Sequence, residues 1–275
     1  MDSFYDQIIP EGKKRTGKYT IELPVLYFRD DAFILVFSAD EERVRQDIPS
    51  DTLEPIRLRG GRCAIGFGVF NYIDTTIGPY GELGIVVPVV HGRKPGRILP
   101  LLRETRYPGF GHLVLHLPVT NLKARDGGRV QWGYAKFTSD MRFLITPEFM
   151  ECRLSEGEKH ILTVRVGRRG FLRHDDRPLI TYTVKDGSLL KTVIPQKGIF
   201  RECIRPKESF LELGNHQIAE QLRSYNLSPK PLISRYALER AAILPSGEEV
   251  EKQVQPLDGY RGSEREGSLK VLYRE

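Results

Sequence analysis

Apolar residues along the chain recur in short runs rather than in helical stripes. The runs Ala32 to Phe37, Cys63 to Phe70, Leu83 to Val90, His112 to Leu117, Met141 to Ile145, His160 to Val166 and Leu179 to Val184 are five to eight residues long. They are rich in β-branched and aromatic side chains, so they read as strands. Turn chemistry separates them, as at Arg125-Asp126-Gly127-Gly128. The pattern predicts an antiparallel, barrel- or sandwich-like body. Helices are few. Asp40 is the predicted N-cap of a segment that runs to Ile48 and is stopped by Pro49. Between His216 and Tyr225, the residues Ile218, Ala219, Leu222 and Tyr225 follow helical spacing. The stretch Gly92 to Gly111 holds three prolines and five Lys or Arg, and it reads as a long functional, interface or solvated loop. From Ser246 onward the chain is polar and charged, which fits a mobile tail or one docked on a partner chain.

Composition narrows the classes. The 275 residues are 40% hydrophobic and 28% charged, a globular profile. A chain of this length can bury a core without disulfides or metal. Lys+Arg minus Asp+Glu is 42 − 36 = +6, a mild basic excess. No apolar run approaches membrane-spanning length, so no membrane partner is expected. The residues Met1-Asp2-Ser3-Phe4-Tyr5-Asp6 show neither a basic nor an apolar leader region. Cys63, Cys152 and Cys203 are isolated, without CxxC spacing. They predict neither a zinc ribbon nor a disulfide scaffold, and they point to a reducing, cytoplasmic setting. His112 and His116, four apart in a strand, are expected on one side; with no third ligand in view, no metal is expected. Arg165, Arg168, Arg169 and Arg173 cluster around Phe171. No nucleic-acid motif accompanies them, so a solvated turn or subunit contact is expected there and no nucleic acid.

Two segments carry candidate chemistry. In the first, Gly78-Pro79-Tyr80-Gly81-Glu82 delivers an acid to the mouth of an apolar strand. Glu82 alternates there with Gly84 and Val86 on one face. An acid on such a face is either paired or functional. In the second, Gly128 to Phe137, the chain's one tryptophan, Trp132, precedes Tyr134 and Lys136, and Ala135 and Phe137 flank the lysine. Desolvation disfavours an ammonium, and only a neutral amine attacks a carbonyl. Such a lysine suits Schiff-base chemistry, although a strand lysine also snorkels or pairs with an acid.

Together the two segments resemble the acetoacetate decarboxylase superfamily. Gly128, Arg129, Tyr134 and Lys136 match the spacing of that family's Schiff-base strand, and Glu82 through Pro88-Val89 matches its acid-led strand. Arg29, the run Phe33 to Val36, Asp40 and Pro49 resemble a third element, with Arg29 one position off in a gapless comparison. The resemblance covers about residues 20–250. It implies an α+β fold, mainly antiparallel β and barrel-like, with few helices: a single domain over 1–275, with a polar tail from about 246. It implies a homo-oligomer with a pocket for a small keto acid, needing no cofactor. Lys136 would form an iminium, and loss of CO2 from an acetoacetate-like β-keto acid would follow. An aldolase or dehydratase using the same imine, or a non-catalytic carboxylate-binding relative, are the alternatives. Arg29 would orient the carboxylate and Glu82 would position it or move protons. Tyr80, Trp132 and Tyr134 would line the substrate. The chain departs from the family pattern at Val130, Ala135 and Phe137, and the pattern's second pocket acid is replaced within Phe67-Gly68. Without a second lysine, burial would have to perturb Lys136.

Overall fold

Strand alternation decides the architecture. A computed structural model describes residues 3–93, 107–257 and 259–275. In chain order the strands are β1 (Gly12–Thr16), β2 (Tyr19–Leu23), β3 (Val25–Asp40), β4 (Leu53–Pro55), β5 (Arg62–Thr75), β6 (Tyr80–His91), β7 (Phe110–Val119), β8 (Lys136–Thr138), β9 (Asp140–Ile145) and β10 (Phe149–Glu156). Then follow β11 (Lys159–Gly167), β12 (Phe171–His174), β13 (Leu179–Lys185), β14 (Ser188–Ile194), β15 (Gln196–Ile204), β16 (Phe210–Leu213), β17 (Ile233–Leu244), β18 (Glu248–Lys252) and β19 (Leu269–Tyr273). The α-helices among the described residues are α1 (Glu41–Arg45), α2 (Leu122–Trp132) and α3 (Gln217–Ser224). None is long and apolar enough to cross a membrane.

A twelve-stranded sheet runs β12-β15-β17-β3-β5-β6-β7-β13-β14-β18, with β4 on β6 and β8 on β7. A five-stranded sheet runs β16-β11-β10-β9-β19, and β1-β2 form a hairpin. Most pairings are antiparallel; β13 and β8 join β7 in parallel, as β19 joins β9. One face of the large sheet presents Phe33, Leu35, Phe37, Ile65, Phe67 and Ile85, which pack with Phe143, Leu154 and Val164 of the small sheet and Leu222 of α3. The opposite face carries Ile34, Val36, Gly66, Gly68, Glu82 and Gly84. The sheet curls around that face, so residues from both ends of its strand path, Arg173 of β12 and Ile194 of β14, line one cavity.

The seven predicted strand runs fall within β3, β5, β6, β7, β9, β11 and β13. Asp40 caps α1, its carboxylate accepting from the Glu42 and Arg43 amides. His216 caps α3. Three expectations change. Arg125-Asp126-Gly127-Gly128 is the middle of α2 rather than a turn. Asn121 caps this helix and Gly133, at φ 66°, ends it; a Cβ there would also sit 2.4 Å from the Val184 carbonyl oxygen. The polar tail is not loose, because β18 pairs with β14 and β19 with β9. His112 and His116 do not share a side: the register slips where Val86 faces Val114 and Ile85 faces His116. That bulge turns His116 toward Gln221, 2.7 Å away, while His112 lines the cavity. Of the long basic loop, residues 94–106 lie outside the described residues.

Candidate active site

The carboxylate of Glu82 and the amine of Lys136 meet at 2.8 Å in the wall of a cavity of about 240 Å³. Both side chains are about nine-tenths buried or more. Sequence places them: Glu82 sits at the start of β6 opposite Phe70 of β5, and Lys136 opens β8 beside Leu117 of β7. Because strand residues alternate, Phe137 turns the other way, into the main core, with its ring edge-on to Tyr260 at 4.9 Å. Helix α2 forms a floor under the lysine. A Cβ on Gly128 would lie 2.5 Å from Lys136 Cδ and 2.6 Å from Cε, so only glycine lets the side chain lie there. Arg129 Nε donates to the Lys136 carbonyl at 2.6 Å and ties the helix to the strand. The Gly128, Arg129, Tyr134, Lys136 frame is therefore a helix, a glycine stop and a strand in sequence.

Tyrosines surround the pair. Tyr72 donates to Glu82 Oε1 at 3.3 Å. The ammonium lies 5.6 Å from the ring centres of both Tyr80 and Tyr134, within cation–π range. Tyr27 and Tyr80 share a hydroxyl contact at 3.0 Å, and the Tyr134 hydroxyl reaches Thr181 at 2.8 Å. Burial, reinforced by the charge of Glu82, pushes the Tyr27, Tyr72 and Tyr80 phenols well up, and burial does the same to Tyr134. They stay neutral, as donors and acceptors. Burial also lowers His112, which stays neutral against the Ile180 carbonyl.

Of the residues singled out in the sequence, Lys136, Glu82 and Tyr134 come together in the cavity wall. Tyr80 lies behind it, its ring against Lys136 and its hydroxyl spent on Tyr27. Trp132 ends α2 and donates to the Pro245 carbonyl at 2.7 Å; it packs near Tyr134 and does not form the wall. Arg29 is exposed and outside the cavity. Strand alternation from Tyr27, which lines the cavity, would turn it inward, but the β3–β5 register shifts on both sides of Arg29 and turns it out. Asp30 is the residue that points inward.

Asp30 brings a cation that sequence reading missed. Arg240 of β17 bonds the Asp30 carboxylate through Nη1 and Gln196 through Nε, the latter at 3.3 Å, and lies over the Phe70 ring at 4.9 Å. Among the described residues, no hydrogen bond engages its Nη2. Burial raises the Asp30 carboxyl; burial alone would lower Arg240, but Asp30 carries it upward. The signal was available. Arg240 alternates with Ala242 and Leu244 on one strand face, as Glu82 does with Gly84 and Val86, and all six line the cavity.

Three further arginines line the same cavity. Arg177 Nε and Arg235 Nη2 bond Asp175 at 2.7 and 2.6 Å, and Arg173 Nη1 lies 3.3 Å from Glu202. Burial alone would raise the Asp175 carboxyl, but the Arg177 hydrogen bond and the Arg235 charge hold it well below the usual range. The basic cluster around Phe171 divides here. Arg173 faces the cavity, whereas Arg165 stacks on Phe149 at 4.0 Å and Arg168 donates to the Thr146 carbonyl at 2.6 Å.

Residues 11–200 match the model of the acetoacetate decarboxylase family. Among solved structures, an acetoacetate decarboxylase superimposes with a TM-score of 0.63 at 17% identity, covering 92% of this chain and 98% of its own. An acetoacetate decarboxylase from Legionella pneumophila gives 0.59 at 18%, covering 83% and 88%. The enduracididine biosynthesis enzyme MppR, complexed with the condensation product of pyruvate and imidazole 4-carboxaldehyde, gives 0.59 at 13%, covering 83% and 89%. No curated protein matches the chain in sequence.

Proposed function

The chain belongs to the acetoacetate decarboxylase family, and from that premise we propose that it is a Schiff-base lyase that removes CO2 from a β-keto acid. The observation that carries the reading is the buried contact of Lys136 Nζ with Glu82 at 2.8 Å, in the wall of a mostly apolar cavity.

The steps follow from that contact. Glu82 accepts a proton from Lys136, and the neutral amine attacks the ketone carbon. The attacking nitrogen passes one of its protons to the carbonyl oxygen to give a carbinolamine, Glu82 returns the other to the same oxygen, which leaves as water, and an iminium remains. The bond to the carboxylate carbon then breaks. Its electron pair enters the iminium to give an enamine, and CO2 leaves. The enamine carbon takes a proton, and water hydrolyses the imine to release the ketone and restore Lys136. Tyr72 orients Glu82. Arg240 Nη2 replaces Arg29 as the donor that orients the substrate carboxylate. The apolar walls favour a step in which charge disperses.

Sodium borohydride trapping tests the reading. Acetoacetate should leave a single covalent adduct on the intact protein, and Lys136→Arg should leave none. Arginine keeps a cation beside Glu82, so the variant retains the buried pair. CO2 release should fall with the adduct, by at least roughly a thousandfold. A Lys136→Arg protein that still labels or turns over would refute the assignment. MppR, with its condensation product, motivates a second reading, aldol condensation on the same imine. Release of an aldol product without CO2 would select it.

A further inference from the structure

The cavity extends well past Lys136, and its register shows how. Lys136 of β8 pairs with Leu117 of β7, Gly84 of β6 with Gly68 of β5, Gly68 with Ile34 of β3, and Ile34 with Arg235 of β17. Leu117 Cδ1 lies 3.3 Å from where a Cβ on Gly84 would be, which joins the two halves. One lateral row of the sheet thus has a lysine at one end, an arginine at the other and two glycines between them, and all six residues line the cavity. The neighbouring row, Val114, Val86, Gly66, Val36 and Ile233, is wholly apolar and lines it too. Five strand steps of about 4.8 Å make roughly 24 Å of curved sheet between the two ends. A cavity of roughly 150 Å³ accepts benzene, so the 240 Å³ here exceeds the needs of a four-carbon acid.

The far end gathers guanidinium groups. Arg173, Arg177 and Arg235 lie there around Asp175 and Glu202, and Arg173 meets Glu202 only at 3.3 Å. Arg173 is the most accessible of the three, with 38% of its side chain exposed. No charged residue stands between this cluster and Lys136 in either row. An anion there meets planar donors suited to a carboxylate.

We propose that the keto acid taken by this cavity carries a second anionic group, held at the Arg173–Arg235 end and joined to the reacting ketone by an apolar spacer of several carbons. This rests on the Schiff-base reading of Lys136.

The test compares borohydride labelling by three freshly prepared acids: acetoacetate, β-ketooctanoate and β-ketosuberate. The last two have equal length and differ in whether the far end is methyl or carboxylate. Half-maximal labelling by β-ketosuberate should need roughly tenfold to a hundredfold less ligand than labelling by β-ketooctanoate, the range of one charge-assisted hydrogen bond. Arg173→Gln should erase most of that ratio, and Arg173→Lys, which keeps the charge, should retain part of it. Labelling by both long acids without a preference, or a preference untouched by Arg173→Gln, overturns the second-anion inference and leaves the Schiff-base reading standing. No adduct with any of the three, or adducts that persist in Lys136→Arg, overturns that reading and this inference with it.

Discussion

Gly128 lets the Lys136 side chain lie flat on α2, and this contact makes a prediction. In an exposed helix Gly→Ala stabilises by up to about 1 kcal/mol. At Gly128 the new methyl would meet Lys136 Cδ and Cε instead of open space. The aliphatic part of a lysine can move, so Gly128→Ala should keep the fold, with a Tm within about 4 °C of the parent. The amine, however, leaves its place beside Glu82. An error of about 1 Å at a reacting centre can cost roughly a hundredfold, so borohydride labelling should slow by at least about tenfold. Normal labelling in a folded Gly128→Ala protein would show that the amine's position does not depend on this floor. The lysine and its acid were legible in the sequence because each interrupts an apolar strand face. Arg240 interrupts an apolar face in the same way, but its pairing with Asp30, far away in the chain, shows only once the strands are paired. The outward side of Arg29 was not legible either, because the irregular register at that position breaks the alternation of β3.

Elements were legible wherever one face is buried and the period is clear. All seven predicted strand runs are strands, the first helix starts at its predicted Asp40 cap, and the second lies within the predicted His216–Tyr225 segment. Helix α2 escaped because its buried positions include Gly127 and Gly128, which carry no apolar signal and look like a turn. The tail escaped for a related reason. Its apolar anchors, Val254, Leu257, Tyr260, Leu269 and Val271, are scattered without a period, and the rest are polar or backbone groups: the Ser263 amide donates to Glu156 at 2.8 Å, and the Arg261 and Ser263 carbonyls accept from Arg129 and Thr138. These bonds brace the segment that carries Lys136. Only Leu269 and Val271 pack against the core from β19. Removing residues 253–275, which also takes Val254, Leu257 and Tyr260 out of the core, should therefore cost at least about 2 kcal/mol of burial and strand pairing, or at least roughly 4–8 °C in Tm. Labelling of Lys136 should weaken as well. A truncated protein with unchanged Tm would mean that β19 contributes no net stability to the sheet.

At the scale of the molecule, carboxylates fasten outlying segments to the body, and their titration sets how the protein meets acid. Asp140 receives the Ser268 amide and hydroxyl together with Arg265; Glu156 receives Tyr260 and the Ser263 amide; Glu251 of β18 receives Ser50 and His91; Asp175 holds the arginines at the cavity. For Asp140, Glu156, Asp175 and Glu251, burial alone would raise the carboxyl, but these partners outweigh it and hold each below its ordinary value. A group depressed in the folded state adds stability that is present above its unfolded pKa and lost as pH falls through its folded one. Burial lowers His112 and His116, so they act with the same sign from about pH 6.5 downward. Asp30, raised by burial, acts in the opposite direction and stands alone against these six. The urea midpoint should therefore begin to fall below about pH 6.5 and drop more steeply below about pH 4. Glu156→Gln should lower the midpoint at pH 7, where the parent carboxylate is charged and holds the tail. It should also flatten the acid limb, because one of the titrating groups is gone. A parent midpoint that stays constant from neutral pH to about pH 3.5, or a Glu156→Gln protein with the parent's slope, would mean that these carboxylates bind protons equally in the folded and unfolded chains.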